Sequence, residues 1–184
     1  MSIAFIGFAR FAIAATFALS AASKVPVLRG FAESLGVYGV PKALWKTVAL
    51  AVIGIEFGLS AALVFGGGTA LVVALSVTVA LLLVFSVALS RRLATANAAK
   101  APCFCFGSVA RTVSFVDLAR NGGLILLAAG AISAIVSLPN GMHSSTTISA
   151  PADAVELALV VVSAVTFAMI WSRVPDIVQL ITDK

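Results

Sequence analysis

The stretch 70–90, ALVVALSVTVALLLVFSVALS, is apolar from end to end and carries no ionisable side chain. It matches the roughly 20 residues that a helix needs to cross a ~30 Å hydrocarbon core. Inside lipid only helices and closed barrels satisfy every backbone N–H and C=O, and the alternating ten-residue segments of a barrel are absent. Working outward, four further runs of the same kind occupy about 3–22, 44–65, 121–138 and 154–171. Of the 184 residues, 61% are hydrophobic and only 10% charged, against about 25% charged in soluble globular domains. The mean hydropathy is +1.16. The sequence thus predicts an all-α, polytopic membrane helix bundle: one integral domain over residues 1–184, embedded in the lipid bilayer, with no room for a separate soluble domain.

The connections between spans differ in character. Residues 25–35, too polar to cross and apolar on one side, are expected to lie along the interface as a short amphipathic segment. Gly36, Gly39 and Pro41 then break the chain, and Trp45 stands where an interfacial indole belongs. Gly66-Gly67-Gly68-Thr69 makes a tight link between spans two and three. The third span is expected to be the most lipid-facing helix or a plain packing element. Ser114, near the end of the loop 91–117, is a candidate helix cap, with Asp117 well placed in the first turn. The first span is read as a retained anchor, because its long apolar stretch begins at once with no basic segment ahead of it.

Charge assigns sides. With five spans, Lys24, Arg29, Lys42, Lys46, Arg91, Arg92, Lys100, Arg111, Arg120, Arg173 and Lys184 collect at one end, while the opposite connections hold no Lys or Arg. The positive-inside rule then puts the N-terminus outside and the C-terminus and loop 91–117 in the cytoplasm. The isoelectric point near 9.8 reports this topology. Aromatic residues interleaved with basic ones, as a nucleic-acid surface needs, are missing, so nucleic acid is excluded as a partner.

Two charges lie inside spans. Arg10 and Glu56 both fall roughly 10–14 Å from the same end at 1.5 Å per residue, so they are expected to meet as an intramembrane polar pair. A charge at that depth costs about 2.5–3.5 kcal/mol or more unless paired or wetted. A structural ion pair is one reading, and a proton-relay carboxylate or ligand anchor is the other.

The only two cysteines are Cys103 and Cys105, in Cys103-Phe104-Cys105-Phe106-Gly107. Two thiols at this spacing can exchange disulfides with a partner, form a static staple or supply half of a metal site. An intrachain metal site would need two further ligands, and the one histidine, His143, belongs to the opposite end, so no metal is expected. Lys100 and Arg111 flank the pair and favour thiolate, the reactive form. Exchange proceeds by attack on a partner disulfide, a mixed disulfide, and resolution by the second thiol. With no second cysteine pair, the electrons go to a separate thioredoxin-like protein or to a quinone, which is the one cofactor left open.

The layout resembles the MauE family (methylamine utilisation protein E), a relative of DoxX-like four-helix membrane proteins. The resemblance is carried by Ser23-Lys24, Gly36-Val37-Tyr38-Gly39, Glu56, the Cys103–Gly107 motif with Phe106 and Gly107 in support, and Arg120-Asn121. It implies a four-helix core reaching about Leu138, with the fifth span as an addition. It also implies a multi-pass protein of the bacterial plasma membrane that helps mature a disulfide-bearing partner alongside a thioredoxin-like protein. In the named case the partner is the small subunit of methylamine dehydrogenase. The charge bias departs from that role, since disulfide work on an exported client wants the thiols outside. The first reading is therefore an accessory thiol–disulfide oxidoreductase component using Cys103 and Cys105. Its rivals are a non-enzymatic subunit or assembly factor of a membrane complex, with a structural cysteine pair, and a quinone or small-molecule binding module centred on Glu56.

Overall fold

The computed structural model describes residues 3–94, 114–137 and 154–182. These residues form six helices: α1 (Ile3–Lys24), α2 (Leu28–Ser34), α3 (Trp45–Phe65), α4 (Gly68–Leu93), α5 (Phe115–Val136) and α6 (Ala154–Thr182). Two short 3-10 turns, Leu35–Tyr38 and Lys42–Leu44, link α2 to α3. All but α2 are long and apolar enough to cross a membrane. The protein is an all-α, multi-pass membrane bundle.

The bundle is built around α1. Ala9, Ala12, Ala14 and Ala21 are buried on different sides of this helix, and such small side chains let neighbouring backbones approach closely where lipid supplies no hydrophobic drive. α3, α5 and α6 pack directly on α1, while α4 packs mainly on α5. Ile6, Ile13 and Phe17 meet Leu63, Leu71, Leu75, Leu124 and Ile135 in one core. Outward-facing Val84, Leu126 and Leu159 present the apolar surface that lipid requires.

Of the five spans α6 is the most exposed, with 11% of it buried against 28% for α4, so the third span is not the most lipid-facing helix and fits the other expectation, a packing element. α5 starts at Phe115, where the expected cap at Ser114 and the first-turn Asp117 put it: the two close a capping box in which the Ser114 N–H donates to Asp117 Oδ2 at 3.0 Å. Its first turns carry polar residues, which hydropathy discounts. α6 continues to Thr182, beyond the 171 expected for the end of the apolar run.

The amphipathic segment is observed as α2 and the turn after it. Its apolar side packs on protein: Phe31 and Ala32 meet Ala21, Ala49 and Ile53. The opposite side holds the exposed Arg29–Glu33 pair at 3.1 Å. Trp45 locks this segment down, since its Nε1 donates to the Val40 carbonyl at 2.7 Å and its ring lies over Gly36. A Cβ on Gly36 would come within 2.5 Å of that ring. The indole is therefore half-buried against the chain, acting as a latch between α2 and α3.

Candidate functional site

Ser20 and Lys24 are four residues apart on α1 and share a face. Lys24 Nζ lies 2.8 Å from both Oε1 and Oε2 of Glu56 on α3. The Ser20 hydroxyl donates to Glu56 Oε1 at 3.2 Å and accepts from Lys24. The Lys24 ammonium also sits 5.6 Å from the centroid of the Phe31 ring. Lys24 and Glu56 are 3% and 2% exposed, so both charges are withdrawn from solvent and neutralise one another. Two charges buried together are tolerated when the remaining lone pairs and protons are also satisfied. Ser20 supplies part of that.

The expected Arg10–Glu56 pair is not what forms. The Arg10 guanidinium donates to the Val64 carbonyl, and Ser60 Oγ donates to the Ala14 carbonyl at 2.9 Å. In that antiparallel register Glu56 comes level with the neighbourhood of Ser20, ten residues past Arg10, or about 15 Å along the axis. Counting inward from each helix end assumes that the ends are flush. α1 instead extends past the end of α3 on the Ile3 side, so equal counts are not equal depths.

Beside the ion pair is a cavity of about 330 Å³ walled by α2 and its following turn, α3, α4 and α5. Each helix contributes one stripe: Val48, Val52 and Glu56 from α3, then Leu81, Val84, Phe85, Ala88 and Leu89 from α4. The stripe from α5 is polar, with Asp117, Arg120 and Asn121 at one-turn spacing. These three are 5%, 3% and 4% exposed. The site thus has two characters, a polar end carrying both signs of charge and long apolar walls. Such an end can donate and accept hydrogen bonds at once.

Cys103, Cys105, Phe106 and Gly107 lie outside the described residues, as do Lys100, Arg111 and His143. The segment that contains the cysteines connects the end of α4 to the start of α5, and both of those helix ends border the cavity. Among the described residues no group of three or more His, Cys, Asp or Glu is arranged to hold a metal.

Sequence reasoning identified Glu56 but not its partner. Lys24 reads as an ordinary helix-terminal cation, and the signal that could have singled it out is Ser20 one turn before it. Asp117, Arg120 and Asn121 read as the polar entrance to a span, although their spacing of three and four residues already puts them on one face.

No curated protein and no solved structure matches this chain. The family described as methylamine utilisation protein MauE matches residues 2–134. That stretch covers α1 to α4, the cysteine motif and nearly all of α5, and leaves α6 beyond it. A match over this much of the chain establishes membership: the protein belongs to the MauE family.

Proposed function

We infer that this protein, as a member of the MauE family, is a membrane accessory protein in methylamine utilisation. We propose that this protein takes part in thiol–disulfide exchange through Cys103 and Cys105 and thereby sets the redox state of a partner protein. One observation carries the reading: the only two cysteines of the chain stand two residues apart, on one connection, inside the stretch that defines the family. The bundle supports it by setting α4 and α5, the helices that flank that connection, as walls of the same cavity.

In the reductive direction, one thiolate attacks a partner disulfide, forming a mixed disulfide and releasing a partner thiolate. The second cysteine then attacks the mixed disulfide, the partner leaves as a dithiol, and Cys103 and Cys105 end as a disulfide. The two electrons and two protons that restore the pair come from a thioredoxin-like protein. Run backwards, the same steps oxidise the partner. The basic residues collected at the cysteine end favour a cytoplasmic location, which suits reduction of the partner or electron transfer toward the membrane.

Serine at both positions tests this. In cells making equal amounts of each form, Cys103→Ser/Cys105→Ser should stop the change in the partner's thiol state while leaving the thermal unfolding midpoint of the purified protein unchanged. A fall in stability with no change in the partner would make the pair a structural staple and end the proposal.

A further inference from the structure

The cavity beside Lys24 and Glu56 has a use that thiol exchange alone does not give it. Its volume, about 330 Å³, falls within the range of small-molecule sites, which are mostly apolar with a few placed polar groups. One end is deeply buried: Glu56 is 2% and Asn121 4% exposed. The other reaches the outer surface of the bundle, because Val84, which also lines the cavity, is 63% exposed. α3 and α4 are joined by a tight turn after Phe65, but α3 packs mainly on α1 and α4 mainly on α5, and the cavity occupies the gap between their far halves. The entrance therefore faces the hydrocarbon, and a ligand using it is dissolved in the membrane.

Charge narrows the class. Lys24 and Arg120 are matched in number by Glu56 and Asp117, so the polar end is balanced and an anionic headgroup gains no net attraction there. A neutral head that both accepts and donates hydrogen bonds fits, against walls that include the rings of Phe31, Phe85 and Tyr38. We propose that this cavity binds a lipid-soluble quinone, with its ring at the polar end beside Glu56, Asp117, Arg120 and Asn121 and its chain leaving past Val84. Carbonyl oxygens of the quinone would accept from Arg120 and Asn121, and hydroxyls of the quinol would donate to the carboxylates. The choice of a redox-active ring rests on the thiol-exchange reading run in the oxidative direction: the partner's dithiol passes two electrons and two protons to the Cys103–Cys105 disulfide, and the dithiol so formed closes again by giving them to a quinone, which becomes a quinol.

The test is binding of decylubiquinone by the full-length protein in lipid nanodiscs, measured by equilibrium dialysis against decanol as a ring-free control. Saturable binding of one decylubiquinone per chain, at least tenfold tighter than decanol, is the expected result. Ala88→Trp places an indole in the cavity away from the ion pair and should weaken binding at least tenfold with an unchanged helical signal. Val84→Trp, at a more exposed wall position, gives the same reading if Ala88→Trp does not fold. Cys103→Ser/Cys105→Ser should bind as the parent does, so failure of the thiol reading and failure of the quinone site are seen separately. Binding no tighter than decanol, or binding indifferent to both tryptophan variants, would overturn the proposal.

Discussion

Lys24 Nζ stands 2.8 Å from each carboxylate oxygen of Glu56, bridging the last turn of α1 and the middle of α3 in a place almost closed to solvent. The pair fixes the stagger of the two central helices at the cavity, and its energetics are set by burial.

Removing one partner leaves the other charge buried and uncompensated. Lys24→Met and Glu56→Leu should each lower stability, Lys24→Met by about 3–5 kcal/mol. The double variant Lys24→Met/Glu56→Leu should recover much of that loss, because a buried pair replaced by apolar groups is often near neutral. Thermal or denaturant unfolding in detergent measures the cycle. A double variant that loses the sum of the two single losses would mean that the two side chains are not energetically linked.

Arg10 gives the complementary prediction. Its partner is the Val64 carbonyl, about 15 Å along the axis from the level of Glu56. Arg10→Met and Glu56→Gln should therefore be additive within about 0.5 kcal/mol. A coupling above about 1 kcal/mol would restore the pairing expected from sequence.

Spans, loop polarity and the unusual status of Glu56 are legible in composition, because a charge in a long apolar run is visible without coordinates. The partner of Glu56 is not, since depth depends on how two helices are staggered, and stagger is set by contacts such as Ser60 with Ala14. Asp117, Arg120 and Asn121 were hidden for a related reason. Hydropathy scores polar residues as outside the membrane, whereas here they are buried by the helix that they begin.

Gly36 lies under the Trp45 ring, where a Cβ would approach to 2.5 Å. Gly36→Ala should push the indole off its seat and cost about 1–3 kcal/mol, as overpacking of a filled site does. Tryptophan fluorescence should shift with it, and Gly36→Ala/Trp45→Phe should regain part of the stability. An unchanged emission spectrum and melting curve would show that the latch does not hold α2.

Ser114 and Asp117 begin α5 with a capping box. Ser114→Ala should cost about 1 kcal/mol, read by thermal unfolding, and leave the Lys24–Glu56 coupling intact. A loss of that coupling would show that the start of α5 and the ion pair are one unit.

Sidedness is read by labelling with a membrane-impermeant maleimide. Cys103 and Cys105 should react only after permeabilisation, as the charge distribution requires. Reaction in intact cells after reduction would put an oxidised pair outside and reverse the direction of exchange.

The most direct measurement is the redox state of the two cysteines in the membrane, fixed by acid quenching and read as a mass shift after thiol alkylation, with and without prior reduction. The account predicts that both a dithiol and a disulfide form of Cys103 and Cys105 are present, and that the balance moves when the partner's thiols are oxidised or reduced. A pair that stays in one form throughout would contradict it.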